Sequence, residues 1–348
     1  MRFLRSVFIL GGIFVIIATS CRGNTGVSGD ASVDRERQRG DGDSVHDGVA
    51  ISDGDIDTLR GDGSKGACPH YGVAKVAGIV TASALDETSG IVSSRAQADI
   101  LWAHNDSGDK ARFYAIDVHG RFMESFRLDG VTARDWEDVA IGKGPSPGQY
   151  YLYAADIGDN NRVRSEIQIY RIAEPHVGGG GGETLLTGAE TYTLRYPDGP
   201  HNAETLLIDP RSGTIYLITK EEKTLQSQIF RVPVTTRVPA PTKPLTLIEE
   251  GALQFHEGLL KAVKSGVLTG GDVAPDGSAI LLRTYGDVLW YAWPEGKNLA
   301  EALVNVAPCI LPVAWEVQGE SIAFAAKGGD YFTLSESDGQ ALYRYPLL

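Results

Sequence analysis

The stretch ARDWEDVAIGKG, residues 133–144, places three carboxylates around a tryptophan, directly before an apolar run typical of a β-strand. The carboxylates belong to Asp135, Glu137 and Asp138. Like charges at this spacing repel one another, and a buried strand has no need of them. The stretch therefore indicates that the acidic side chains at the start of this strand have a structural or functional role.

Echoes of this stretch organise the chain into repeated sets of strands. The first strand of each set reads TSGIV, WEDVA, AETLL, GGDVA or GESIA. Four-stranded units at a spacing of roughly 40–65 residues are typical of a β-propeller. The last set is one strand short, whereas HYGVAKVAGIVT at residues 70–81 has no partner in the first set. We therefore predict an all-β fold, a single β-propeller of four-stranded blades (five counted, six possible), closed by this N-terminal strand.

The predicted β-propeller domain spans residues 67–348, which is long enough for one large all-β domain. Helical periodicity is scarce there, and two short helices are predicted over residues 259–264 and 298–303. A β-sandwich is the structural alternative, but it does not explain strands that recur in sets of four.

Residues 1–20 are predicted to be a lipoprotein signal peptide. Arg2 and Arg5 precede VFILGGIFVIIAT, an apolar run too short to span a bilayer but typical of the core of a signal peptide. The run ends in ATSC, so Cys21 is the predicted lipidation site; an ordinary cleaved signal peptide is the alternative. We therefore expect an exported protein, lipid-anchored to a bacterial membrane on its periplasmic or cell-surface face.

Residues 21–66 are predicted to be a disordered tether. Gly, Asp and Ser dominate this segment, and it contains no aromatic residue. Such a composition cannot bury enough apolar surface to offset the entropy of the chain. The tether would hold the propeller clear of the membrane surface.

The net charge limits the classes of partner that the protein can bind, and the cysteines indicate the redox compartment in which it folds. A net charge of −13 argues against nucleic acid as a partner, because phosphates would be repelled. If Cys21 carries lipid, then Cys68 and Cys309 are left as a pair in an oxidising compartment. We predict a disulfide between them, with two buried free thiols as the alternative.

Aligning the first strands places acidic residues at one repeated position. The second letters of the five strands are Ser89, Glu137, Glu204, Gly271 and Glu320. Since the first strand of each blade lines the central channel, we expect Glu137, Glu204 and Glu320 to share one axial volume, with Glu87 just upstream. A divalent cation would neutralise them, and Ca²⁺ is expected because it accepts many oxygen ligands. The alternative is that each glutamate accepts backbone N–H bonds from a neighbouring blade. Trp136 is expected to pack between blades.

Two polar loops follow second strands and should open at the same end of the propeller. They are HNDSGDKAR, residues 104–112, and DIGDNNRVR, residues 156–164. Their oxygen ligands predict further metal contacts from Asp106 and Asp156. The predicted contacts to a bound ligand come from Asn105, Asp159 and Asn160, and from Lys220 and Arg283, which were aligned with these loops in the next two blades. Solvated turns and salt bridges across the rim are the alternatives.

The strand WEDVA, with ETSGI, HNDSGD and DIGDNNR, resembles those of bacterial exported β-propeller lipoproteins of the broadly six-bladed, TolB-like superfamily. The chain is also similar in layout to the SdiA-regulated and phytase-like (esterase-like) propeller families. The resemblance covers residues 83–348 and implies a polar channel mouth with, in several members, bound calcium. The paired aspartates that precede a tryptophan in propeller phytases are not matched, since Asp135 alone precedes Trp136.

Two functions are consistent with these features. The favoured one is a binding module whose channel mouth holds Ca²⁺ and recognises a glycan, a peptide or a small anionic ligand. The alternative is a metal-dependent hydrolase of phosphate esters or lactones, in which the ion would lower the pKa of a bound water. No nucleophile elbow, zinc-protease motif or P-loop occurs in the sequence, so no catalytic residue is assigned.

Removing the tether should leave the propeller intact. A chain that begins at residue 67 is expected to melt at the same temperature as the mature protein, because residues 21–66 are too polar to pack. Differential scanning calorimetry of both chains checks this. A loss of several degrees in the shorter chain would instead mean that the segment docks on the propeller.

Overall fold

The computed structural model describes residues 68–224, 226–255, 259 and 266–348. The predicted signal peptide, Cys21 and the tether lie outside the described residues, as does most of the helix predicted over 259–264. The helix predicted over 298–303 is confirmed as α1, Leu299–Asn305, which begins with a capping box at Asn298. Among the described residues, no helix is both long enough and apolar enough to cross a membrane.

Strands make up most of the described chain. The first eight are β1 (Lys75–Ile79), β2 (Thr88–Ser93), β3 (Ile100–Asn105), β4 (Arg112–Asp117), β5 (Phe122–Leu128), β6 (Trp136–Lys143), β7 (Tyr150–Asp156) and β8 (Ile167–Ala173). The next seven are β9 (Glu183–Leu186), β10 (Glu190–Arg195), β11 (Ala203–Ile208), β12 (Thr214–Thr219), β13 (Gln226–Thr235), β14 (Leu245–Thr246) and β15 (Ile248–Gln254). The last seven are β16 (Leu268–Val273), β17 (Ala279–Thr284), β18 (Val288–Ala292), β19 (Cys309–Leu311), β20 (Gly319–Phe324), β21 (Tyr331–Ser335) and β22 (Ala341–Tyr345).

These strands form five small sheets, the blades of a β-propeller, which confirms the predicted fold and the count of five. In order from the innermost strand, blade one is β2-β3-β4-β5-β9, blade two β6-β7-β8-β10-β14 and blade three β11-β12-β13-β15. Blade four is β16-β17-β18-β19, and blade five is β20-β21-β22-β1. The N-terminal β1 pairs antiparallel with the C-terminal β22, so the predicted closing strand is also confirmed.

One predicted strand is divided between two blades. The apolar run LTLIEEG, residues 245–251, is typical of a single strand, and Ile248–Gln254 pairs with β13 as the fourth strand of blade three. Leu245–Thr246 instead pairs parallel with β10 at the outer edge of blade two, and β9 extends blade one in the same way. These parallel additions cover two outer edges that would otherwise be open to pairing.

Adjacent blades pack through apolar side chains, as Trp136 shows. Its indole is buried, 5.3 Å from the ring of Phe113 in blade one and 6.0 Å from the ring of Tyr170 in its own blade. The predicted packing of Trp136 between blades is therefore confirmed. Face-to-face packing of this kind repeats around the ring and buries the central strands of every blade.

Two aspartates hold innermost strands together around the channel. Asp138 in β6 accepts a hydrogen bond from the backbone N–H of Leu206 in blade three at 2.8 Å. Asp272 in β16 accepts one from Phe324 in blade five, also at 2.8 Å. Burial raises the pKa of Asp272 to about 6 and that of Asp138 well above its usual range, although the N–H donors oppose this. The alternative proposed for the glutamates is that they accept hydrogen bonds from the backbone of a neighbouring blade. These two aspartates have that role.

The predicted disulfide is present. Cys68 and Cys309 are bonded, with their Cα atoms 5.8 Å apart and a sequence separation of 241. Cys309 begins β19 of blade four, whereas Cys68 precedes the closing strand β1. The bond therefore fixes the N-terminal segment to the blade beside the one that it completes.

Replacing Cys309 by serine should destabilise the folded domain by roughly 2–5 kcal/mol, because the bond restricts a long loop of the unfolded chain. Urea unfolding under non-reducing conditions measures the loss. Cys68→Ser and the double variant are matched controls and should give the same value. A double variant that is much less stable than either single variant would show that the thiols contribute through packing instead.

Candidate functional site

Every innermost strand begins with a β-bulge, and the bulges define a ring of side chains at one end of the channel. In each blade the register between the first and second strands shifts across a single residue. The residues at these five positions are Ser89, Glu137, Glu204, Thr269 and Glu320. The alignment that placed Gly271 at this position in blade four was therefore wrong by two residues. Bulges commonly re-aim a side chain in this way.

The two hydroxyl members of the ring serve the fold. Ser89 donates to the backbone carbonyl of Glu137 in blade two at 2.6 Å. Thr269 donates to the carbonyl of Gly319 in blade five at 3.2 Å. Each hydroxyl thus joins its blade to the next.

A second ring is formed by the residues that follow the second strands. Asp106, Lys220 and Glu336 stand at equivalent positions, each donating its N–H to the carbonyl that precedes the innermost strand of its blade. In blade four Thr284 pairs with Leu268, so the equivalent residue is Tyr285. The sequence analysis predicted Arg283 at this position, which is wrong by two residues.

Arg283 lies inside the fold. Its guanidinium is buried between blades four and five, where it forms an ion pair with Glu316 and donates to the carbonyl of Gly319 at 3.3 Å. A buried, paired guanidinium is not open to an anionic ligand, so the structure corrects the predicted ligand-binding role of Arg283.

Three carboxylates converge at this end of the channel. One comes from each of the two rings, and the third comes from the loop that precedes β6. Oxygen atoms of Asp106, Asp135 and Glu137 all lie within 4.8 Å of one another, and we call this set the carboxylate cluster. Asp106 and Glu137 were predicted as metal ligands. Asp135 was not, because it precedes the aligned strand positions, although its place in ARDWED beside Glu137 was visible from the sequence.

Asp156 positions the cluster but is not part of it. Its buried carboxylate accepts the backbone N–H groups of Arg134 at 3.0 Å and Asp135 at 3.3 Å. It also forms an ion pair with Arg164 at 2.8 Å. These contacts occupy the carboxylate, so the predicted metal-binding role of Asp156 is corrected to one of holding the loop that carries Asp135.

Gly158 brings the backbone of the DIGDNN loop directly against the cluster. A Cβ atom at this position would lie 2.0 Å from Oε1 of Glu137 and 2.5 Å from Oδ2 of Asp135. Any other residue would push the two carboxylates aside. The glycine is therefore required by close approach, and the loop covers one side of the cluster.

The cluster strongly resists ionisation. Burial raises the pKa of Asp106 to about 8, together with the charges of Asp135, Glu204 and Glu320, against the N–H of Ser107. Burial and then the charge of Glu204 raise the pKa of Asp135. The pKa of Glu137 lies well above its usual range for the same two reasons, with added repulsion from Asp106. The cluster therefore either keeps protons near neutral pH or needs a counter-charge.

Lys220 occupies the same end of the channel and neutralises Glu204. Its Nζ lies 3.0 Å from Oε1 of Glu204 and 2.9 Å from the hydroxyl of Tyr285. Burial lowers the pKa of Lys220, but Glu204, Tyr285 and Glu320 together outweigh it, so the net shift is upward and the ammonium stays charged. Glu204 is thereby withdrawn from the predicted set of three metal-binding glutamates.

Glu320 is paired in a different way. It is hydrogen-bonded to Glu336, and burial and the charge of Glu336 raise its pKa well above the usual range. Gln318 donates to Glu320 at 3.1 Å. Burial raises the pKa of Glu336 to about 7, and repulsion from Asp106, Glu87 and Glu204 acts in the same direction. The hydrogen bond from Glu320 lowers it. A shared proton therefore satisfies this pair.

The remaining predicted ligand residues lie outside the carboxylate cluster, and most of them hold loop backbone in place. Glu87 lies near this mouth, half-buried, and its N–H donates to Asn105 at 3.1 Å. Asn105 in turn donates to the carbonyl of Ala84 at 2.7 Å, and Asp159 accepts the N–H of Arg164 at 2.6 Å. Both side chains are buried and hold loop backbone, whereas Asn160 is exposed. Of these predicted ligand contacts, only Asn160 faces open space.

A polar cleft opens between blades two and three, beside the cluster. Its volume is about 310 Å³, and its lining includes Asn160, Arg162, Asn202, Lys220 and Lys223. We call it the rim cleft. The predicted ligand residues Asn160 and Lys220 thus meet in one cavity.

No known family model matches the chain, and no curated protein matches it. The PQQ-bound form of an aldose sugar dehydrogenase from Streptomyces coelicolor has a similar fold, with a TM-score of 0.43 and 10% identity over 81% of this chain and 100% of that chain. At this identity and TM-score the similarity implies neither a family nor a function for this chain. Membership of the TolB-like or SdiA-regulated families stays a prediction.

Metal-free protein should lose stability as pH rises from about 4 to about 8. The pKa of Asp106 is about 8 and that of the neighbouring Glu336 about 7 in the folded state, whereas both carboxyls lose their protons near pH 4 when unfolded, so the folded state binds more protons in this range. Melting temperatures in EDTA at pH 5 and pH 8 test the sign.

Glu137→Gln should flatten that fall, because it removes one of the buried acids whose pKa is raised. Asp338→Asn, at an exposed acid outside the cluster, is the matched control and should leave the slope unchanged. A melting temperature that rises between pH 5 and pH 8 would contradict the proposed protonation.

Proposed function

We propose that this chain is a β-propeller recognition module whose channel mouth binds a divalent cation between Asp106, Asp135 and Glu137, with Ca²⁺ as the expected ion. The observation that carries the proposal is the convergence of these carboxylates within 4.8 Å. Among the residues that the structure describes, no lysine or arginine forms an ion pair with any of the three. Lys220 and Arg164 offset the charges of Glu137 and Asp135 from beyond ion-pair distance.

The spacing of the cluster suits calcium. Each Ca²⁺–oxygen bond is about 2.3–2.6 Å long, so two oxygens on one ion lie at most about 5 Å apart. The separations within the cluster meet this limit. The close approach of Gly158 keeps water and other side chains from one face, which lowers the local dielectric and strengthens the attraction to a cation. The remaining ligands would be waters or oxygens of a bound partner.

Recognition is favoured over catalysis because the carboxylate cluster consists of acids alone, with no serine, threonine or cysteine among its members. A signal-like N-terminus supports an exported protein anchored through Cys21, with the channel mouth available to a glycan, a peptide or a small anionic ligand. A resemblance to exported propellers of the TolB-like superfamily agrees with this location.

A second candidate is the metal-dependent hydrolysis of phosphate esters or lactones, and Lys220 is the observation in its favour. Its ammonium lies 2.9 Å from the hydroxyl of Tyr285, on the same mouth as the cluster. Next to a bound cation, this group would stabilise negative charge that develops on a phosphoryl or acyl oxygen.

Adding CaCl₂ to EDTA-treated protein should raise its melting temperature, because an ion that binds only the folded state stabilises it by about 2.7 kcal/mol at 100 times its Kd. Asp106→Asn, Asp135→Asn and Glu137→Gln should each abolish most of that rise. Isothermal titration with Ca²⁺, Mg²⁺ and Mn²⁺ measures the affinities directly.

Glu320→Gln separates the two arrangements of ligands. It should keep the calcium response if the cluster holds the ion, and should lose it if the three glutamates of the bulge ring do. An unchanged melting temperature with all three cations would overturn the proposed site. Turnover of p-nitrophenyl phosphate or a lactone that depends on Asp106 and Lys220 would favour the hydrolase instead.

A further inference from the structure

We infer that the rim cleft binds a small ligand that carries several hydroxyl groups and one anionic group, as in a sugar acid or a sugar phosphate. The inference deepens the proposed recognition function and rests on it, since the ligand would reach from the cleft toward the cation at the carboxylate cluster. It rests on the size of the cavity, its polar lining, its cationic groups and its connection to the cluster.

The size and lining of the cleft select the class of ligand. A volume of about 310 Å³ lies at the lower end of ligand cavities, roughly 300–1,000 Å³, and suits a molecule of one or two sugar rings. All nine lining residues are polar or charged. An apolar ligand would leave their donors and acceptors unpaired, which costs free energy, whereas hydroxyl groups can bond to them.

The lining holds three cationic side chains, Arg162, Lys220 and Lys223, against the carboxylates of Glu221 and Glu222, so it favours an anion despite the net charge of −13. Arg162, whose side chain is 49% exposed, uses one guanidinium nitrogen in its ion pair with Glu221 at 2.9 Å. Its other two nitrogens make no hydrogen bond to any described residue. Lys223 is exposed on the same lining. Two donors with free N–H groups at one wall can bind a carboxylate or a phosphate.

The backbone fixes Arg162 in this position. Its φ of 51° lies in the left-handed region, which is unfavourable for an arginine by about 1–2 kcal/mol. The turn is held because Arg162 donates its N–H to the carbonyl of Asp159 at 2.8 Å, and the Asp159 carboxylate accepts from Arg164. Such conformations persist where the surroundings determine them, and they are frequent at ligand sites.

Asn202 connects the cleft to the acidic mouth. Its side-chain N–H₂ donates to Asn160 at 3.1 Å and to Glu204 at 3.4 Å, while its oxygen accepts the N–H of Asp159 at 2.7 Å. Glu204 is held in turn by Lys220. A chain of hydrogen bonds between polar side chains therefore runs from the wall of the cleft to Glu204 at the acidic mouth.

Isothermal titration of the mature protein with D-glucuronate and with glucose 6-phosphate tests the inference. D-glucose and inorganic phosphate serve as probes that carry only the hydroxyl groups or only the charge. Arg162→Asn keeps a residue that tolerates the left-handed turn and should weaken binding of both charged sugars roughly tenfold, with Lys223→Gln weakening it less. Arg121→Gln, at another exposed arginine in an ion pair, is the matched control and should change nothing.

Titrations in CaCl₂ and in EDTA distinguish failure of the cleft from failure of the cation. Binding that persists in EDTA and falls in Arg162→Asn would support the cleft and remove the cation from it. Calcium-dependent binding that both cleft variants leave unchanged would place the ligand on the ion alone and overturn the inference. The absence of binding of all four probes in CaCl₂ would overturn it as well.

Discussion

The hydrogen bonds between β1 and β22 close the ring, and every other feature of the channel depends on that closure. Asp106, Glu204 and Glu320 come from three different blades, separated by about a hundred residues or more in sequence. Only a closed ring brings their strands to one axis. The pairing of Lys75 with Arg344 and its neighbours holds the first and last blade elements together, and the Cys68–Cys309 bond secures the same junction.

Closure concentrates negative charge, and the fold neutralises most of it by pairing. Asp138 and Asp272 accept backbone N–H groups from neighbouring blades, and Glu204 is held by Lys220. Glu320 and Glu336 are joined by a hydrogen bond that a shared proton supplies. Each device removes one like-charge repulsion from the axis.

The carboxylate cluster is what remains after this pairing. Asp106, Asp135 and Glu137 repel one another at short range in a partly buried site, and Gly158 is kept small so that they can stay there. Within the cluster Asp106 is hydrogen-bonded to Asp135, and this acidic site near a polar cleft is the feature on which the proposed binding of a cation and a ligand rests. The hydroxyls of Ser89 and Thr269 show how the same bulge position serves structure when no acid occupies it.

The sequence by itself determined the propeller, its closing strand, the disulfide and the acids Asp106 and Glu137, because strand repetition and residue type are local properties of the chain. The tertiary structure alone decided which acids meet. The residues DVA occur in blades two and four, but Asp138 follows its bulge residue directly whereas Asp272 lies three positions after Thr269, so alignment on DVA points to Gly271. Strand pairing alone reveals this difference, and it likewise places Tyr285 where Arg283 was predicted. Asp135 joined the site and Asp156 became its support because loop geometry, set by hydrogen bonds to residues distant in sequence, decides where a carboxylate lies.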